Sequence, residues 1–109
     1  MIKRFVKPVV VKGPAPSTSV NEVLNFEDYS NLQKVSWVGE GGNSFDVEIR
    51  THDGKECLVD SVPAEYLRLG SGREEVELNT VLANNSVRVV FSFDEGVFIK
   101  GSLVFTCEK

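Results

Sequence analysis

Between Ser86 and Phe105 apolar residues recur at every second position, twice over, and no other stretch restricts the fold as much. Val87, Val89, Phe91 and Phe93 form the first set; Val97, Ile99, Gly101, Leu103 and Phe105 form the second. Successive side chains of a strand point to opposite faces, so each set marks the covered face of a strand. A helix would scatter the same residues around its circumference. Asp94-Glu95-Gly96 supplies a three-residue turn ending in Gly, the chemistry of a bulged hairpin, and predicts Phe93 opposite Val97 and Phe91 opposite Ile99. Upstream, Val76, Leu78, Thr80 and Leu82 alternate in the same way. Asn84-Asn85 tolerate positive φ and predict a tight turn that sets Leu82 opposite Val87 and Leu78 opposite Phe91. The expected unit is a three-stranded antiparallel meander with one apolar face.

A second hairpin is expected in residues 44–60. Phe45, Val47 and Ile49 alternate with polar residues, and His52-Asp53-Gly54 reads as another turn ending in Gly. The predicted register pairs Ile49 with Cys57 and Val47 with Val59. Val35 and Trp37 mark a strand before it, followed by a Gly-rich loop over 39–44. Residues 61–72 fit a short helix with Pro63 in its first turn, Gly70 beyond its end, and Val62, Tyr66 and Leu69 on its buried side. Ser19 and Glu22 stand at capping-box spacing and suggest a helical turn. The predicted fold is all-β: an antiparallel β-sandwich or partly closed barrel of six to seven strands, with one short connecting helix and an extended N-terminal arm. Residues 1–19 form the arm and its hinge, and residues 20–109 the sandwich.

Charge separates these two parts. The 109-residue chain has a net charge of −4, yet its first 21 residues hold Lys3, Arg4, Lys7 and Lys12 and no carboxylate. The remainder carries −8. An acidic body repels nucleic acid and acidic membrane surfaces, while a cationic arm is drawn to acidic protein surface. Such an arm docks either on its own body, as an edge strand, or on a neighbour. Lys7 and Pro8 interrupt the apolar run of the arm, so it does not read as an export signal, and cytoplasmic synthesis is the expectation. No apolar run is long enough to span a bilayer.

The residue types that carry chemistry do not converge. His52 is the one histidine and is expected as a solvated turn residue, because adjacent His and Asp in a turn point apart. Neither a second His nor a Cys-x-x-Cys spacing supports zinc. Cys57 and Cys107 fall on inward parity and are expected as reduced core thiols. Asp46, Glu48, Glu74, Glu75, Glu77, Asp94 and Glu95 read as a solvated acidic face rather than a glycosidase pair or calcium site. The glycines at 39–42 lack the Lys-Ser/Thr of a phosphate loop. Asn84-Asn85-Ser86 has the form of a glycosylation acceptor, although the turn itself accounts for both asparagines. Most Phe residues and Trp37 are expected in the core, with Phe98 outward.

These readings lead to a non-enzymatic structural or assembly protein, with no cofactor and no metal, that contacts other proteins. Its partners are copies of itself or other assembly subunits. Capsid and decoration proteins of virions supply the architectural analogy of a β-body with an extended arm. Lys3, Arg4, Val6, Lys7, Val9, Val11 and Lys12 of the arm, with Phe98 of the body, are the expected partner-binding residues. The alternatives are a small carbohydrate- or ligand-binding sandwich using Trp37, Tyr29 and Phe98 as stacking rings, and an OB-type single-stranded nucleic-acid binder. The body's −8 opposes the latter, leaving only the basic arm to hold phosphate.

Overall fold

The structure, a computed structural model, describes residues 2–11, 16, 18–67 and 76–109. It contains eight strands: β1 (Ile2–Val11), β2 (Thr18–Asn25), β3 (Asn31–Glu40), β4 (Phe45–Thr51), β5 (Cys57–Pro63), β6 (Val76–Val81), β7 (Ser86–Phe93) and β8 (Ile99–Glu108). Sheet I has the order β1-β8-β3-β6 and sheet II the order β2-β7-β4-β5. Every pairing is antiparallel. The all-β sandwich-like fold expected from the alternation is present, with eight strands rather than six or seven and two separate sheets rather than a barrel.

The inward parity read from the sequence holds. Val87, Val89 and Phe91 of β7 are buried, as are Ile99, Leu103 and Phe105 of β8 and Phe45, Val47 and Ile49 of β4. Burying each such side chain fully contributes about 1.5–3 kcal/mol, so this common interior is the main source of stability. The pairing expected for residues 76–105 is different. β6 pairs with β3, β7 lies between β2 and β4, and β8 lies between β1 and β3. The chain therefore crosses from sheet I to sheet II after β6 and returns after β7, and the Phe91–Ile99 and Leu82–Val87 ladders do not form. Parity does not distinguish the two arrangements. Strands facing each other across a sandwich and strands side by side in one sheet both turn their apolar positions to the same core.

A packing constraint selects the observed arrangement. Trp37 is fully buried on β3, next to β8. A Cβ on Gly101 of β8 would stand 2.7 Å from Cζ2 and Cη2 of the Trp37 ring and would also meet the Val38 carbonyl oxygen. Gly39, the register partner of Gly101, is equally close to its backbone. Glycine within a strand marks such an approach. Phe45 meets the indole edge-on, with centroids 5.1 Å apart, and ties sheet II to sheet I. Among the described residues the indole N–H has no acceptor, a cost of about 1–3 kcal/mol set against the burial of the largest side chain in the core.

Several local expectations need correction. The stretch around Ser19 and Glu22 is β2, not a helical turn: Val20, Glu22 and Leu24 are half-buried while Ser19, Asn21, Val23 and Asn25 are exposed, the period of a strand. The connector after β5 is a 3-10 turn over Ala64–Leu67 that buries Ala64 and Leu67, whereas Tyr66 is 52% exposed. Leu69 and Gly70 lie outside the described residues. The β4–β5 hairpin forms, but with irregularities that pair Arg50 with Cys57, Ile49 with Val59 and Val47 with Val62. This shift turns Cys57 outward, so it is exposed and free, whereas Cys107 is buried and free. Asn84 and Asn85 do adopt positive φ, 62° and 51°. Their turn joins the two sheets and docks on the β2–β3 loop, with Phe26 N donating to Asn85 O at 2.8 Å.

Gly101→Ala is expected to destabilise the fold by about 1–3 kcal/mol, the usual cost of overpacking, read as a lowered urea midpoint. An unchanged midpoint would mean that the ring does not rest on this position.

Candidate interaction surface

β1 places its odd and even residues in different surroundings. Phe5, Val9 and Val11 turn toward the sandwich interior, where Val9 is buried and Phe5 and Val11 pack against the core. The Phe5 ring lies 5.1 Å from Phe26 and 5.7 Å from Tyr29. Lys3 and Lys7 share this inward parity, and each finds a carboxylate. Lys7 Nζ is 2.6 Å from Glu22 Oε2, which belongs to β2 of the opposite sheet. Lys3 Nζ is 2.7 Å from Glu27 Oε1, in the β2–β3 loop, and 4.9 Å from the Phe5 ring centroid. The hydrogen bond to Glu27 raises the Lys3 pKa above its ordinary value. Beside it Lys109 Nζ pairs with Asp28 at 2.6 Å and holds that carboxyl below its usual range. Exposed pairs of this kind add little to stability, because water screens them. Their larger effect is orientational: charged groups turned inward at paired edges close the gap between two sheets.

The even residues, Ile2, Arg4, Val6, Pro8 and Val10, are all exposed. They continue across sheet I in register. Ile2 lies beside Glu108 and Asn31; Arg4 beside Thr106 and Lys34; Val6 beside Val104 and Ser36; Pro8 beside Ser102 and Val38; Val10 beside Lys100 and Glu40. Val81 of β6 adds to the first row, next to Asn31. Five of the eight exposed large hydrophobic side chains among the described residues stand on this face: Ile2, Val6, Val10, Val38 and Val81. Ser36 and Thr106 sit between them at 4% and 7% exposure, so their neighbours close over them. The result is a face whose apolar side chains are centred on Val6, Val104, Pro8, Val38 and Val10, with Arg4 and Lys34 crossing it in the second row and Glu108, Lys100 and Glu40 at its ends. Among the described residues neither Arg4 nor Lys100 has an ion-pair partner.

The outer face of sheet II is of the opposite character. Arg88 donates to Asn21 Oδ1 at 3.1 Å and to the His52 carbonyl at 3.2 Å, and Arg50 Nε donates to Glu48 at 2.6 Å. At one end Ser19, Asn43, Ser44, Asp46, Ser92 and Asp94 border an open groove of about 460 Å³. His52 is half-buried rather than solvated, and its Nδ1 shares a 2.7 Å hydrogen bond with Ser86 Oγ. The sequence gives no signal for this contact, since the two residues are 34 positions apart. Ser86 is 2% exposed, which leaves its hydroxyl out of reach of a substrate. Asp53 turns away from the ring and accepts from Thr51 Oγ1 and Lys55 N, so it does not orient the imidazole. Glu48, Cys57 and Asp60 bring ligand-type atoms within 4.8 Å of one another, but Arg50 already occupies Glu48.

The residues expected to bind partners are thus divided. Arg4 and Val6 are on the outer face with Val10, and Phe98, 50% exposed, stands just before β8 at the Lys100 end of the strand. Lys3, Lys7, Val9 and Val11 are engaged within the chain itself. Lys12 lies outside the described residues. Trp37 and Tyr29 are buried and have no face free to stack on a ring from solution. Val38, Val104 and Val81 were not singled out by the sequence, although Val38 and Val104 have the outward parity of their strands.

Lys7→Glu is expected to set like charges together at the β1–β2 seam and to speed amide exchange along β1 by a few-fold, corresponding to about 0.5–1 kcal/mol. Unchanged exchange in β1 would mean the pair does not hold the strand. Thiol titration with a small aromatic disulfide is expected to find one accessible thiol, Cys57, and a second, Cys107, only on unfolding. Burial pushes the Cys107 pKa up to about 11, and desolvation, with Asp60 and Glu48 nearby, also raises that of Cys57, so the accessible thiol should react more slowly than free cysteine. Two fast thiols in the folded protein would contradict this. No family model, no curated protein and no solved structure matches the chain.

Proposed function

We propose that this chain is a non-enzymatic interaction protein, part of a larger protein assembly, and that the outer face of sheet I is the surface it presents. One observation carries this reading: exposed apolar side chains concentrate on one sheet face, while the opposite face is bridged by polar contacts. A contiguous exposed apolar patch on a small domain marks a contact surface. β1 enters this reading as one of the four strands of that face, with Lys3 and Lys7 matched by acids of the same chain. A capsid or decoration protein of a virion remains the architectural analogy for such a body, and it rests on architecture alone. A sugar-binding role loses two of its three stacking rings with the burial of Trp37 and Tyr29 and keeps only Phe98. A nucleic-acid role loses two of the arm's cations to Glu22 and Glu27.

Site-specific photo-crosslinking in the cells that make the protein tests the reading. A photoreactive residue at Val38 is expected to capture protein, and one at Asn21 on sheet II to capture several-fold less. No capture from Val38, or equal capture from both faces, would overturn the proposal.

A further inference from the structure

On the reading that the outer face of sheet I is a protein contact surface, we infer that its occupant is a second copy of this chain. The two copies are related by a two-fold axis that crosses the strands at Val6, Val104 and Ser36. The register carries the inference. These three residues form the middle row of the face, with two rows on either side. An axis along that row lays β8 antiparallel over β8 of the second copy. Val104 then meets Val104, Val6 meets Val6, Thr106 meets Ser102, and Ile2 meets Val10. Glu108 at one end of β8 meets Lys100 of the other copy, and the symmetry makes this contact twice.

The charges discriminate between the possible axes. An axis running along β8 would stack Lys100 on Lys100 and Glu108 on Glu108, two like-charge contacts of the kind that excludes an arrangement. On β8 the crossing axis separates the like charges by the length of the strand and joins the opposite ones, while Arg4 and Lys34 of the second row come to lie over Pro8 and Val38. Pairing through the free edge of β1 is disfavoured on separate grounds. Pro8 has no N–H to offer a new ladder at the middle of that strand, and Pro and charged residues are the devices that blunt an edge. The area is sufficient for a reversible dimer. Strands rise about 3.3 Å per residue and lie about 4.8 Å apart, so three strands of about ten residues cover roughly 33 by 14 Å. Two such faces remove on the order of 1,000 Å² from water, the lower limit for a specific interface. The dimer is therefore expected in the micromolar range and to weaken with salt, since the Debye length falls to about 10 Å at 0.1 M.

Sedimentation velocity over a concentration series tests this on the full chain. The wild type is expected to dimerise, and Lys100→Glu and Glu108→Lys each to raise the dissociation constant about tenfold by setting like charges together. The double reversal, Lys100→Glu with Glu108→Lys, is expected to return it to within about threefold of wild type, because the contact is restored with its signs exchanged. Circular dichroism melts check that each variant is folded. Where a reversal fails to fold, Lys100→Gln and Glu108→Gln replace it, each weakening the dimer and flattening its salt dependence. A wild type that is monomeric up to millimolar concentration overturns the inference, as does a dimer indifferent to the single changes or a double reversal that stays weak. The outcome is separable from that of the broader reading: a monomer whose Val38 still captures another protein removes the second copy and leaves the contact surface standing.

Discussion

The seating of the Trp37 indole on Gly101 is the contact on which the arrangement of strands depends. The Trp37 ring lies over Gly101, where a side chain would collide with it. The Gly39–Gly101 register provides that gap between β3 and β8. With β3 on one edge of β8 and β1 on the other, β7 is not its sheet neighbour and lies between β2 and β4 instead. Phe45 then reaches across the interior to the buried ring, which it meets at a steep angle. Alternation is satisfied by either arrangement, and this contact fits the β3–β8 pairing that is observed.

The parts of this fold legible in the sequence were the local ones. Period-two alternation identified the inward residues of β4, β7 and β8, and the two asparagines at 84–85 announced positive φ. The identity of each strand's neighbour was not legible. A side chain's parity says which way it points, and core lies in that direction whether the next strand is beside it or across from it. The misread at Ser19 and Glu22 has a related cause. A carboxylate three residues after a serine looks like a capping box, but Glu22 is an inward strand residue whose charge is met by Lys7 from the other sheet. Cys57 was misplaced because irregularities in β5 break the period that parity assumes.

The same logic explains why the charge asymmetry of the chain was informative but ambiguous. A basic segment next to an acidic body implies attraction without saying whose body is involved. In the folded chain the strand carries both answers on its two faces. Lys3 and Lys7 satisfy the body's own acids, whereas Arg4, Val6 and Val10 are left for solvent or a partner. Alternation along one strand thus separates what holds the monomer together from what is free to meet another molecule.

The central position of β8 in sheet I bears on the order in which the protein is made. β8 is the last of the eight strands in the chain, yet it separates β1 from β3, and Ile2 is paired with Glu108. During synthesis sheet II has all of its strands once β7 has emerged, whereas β1 and β3 have no bridging strand until β8 follows. β1 must therefore wait for β8, and completion of sheet I falls after that of sheet II.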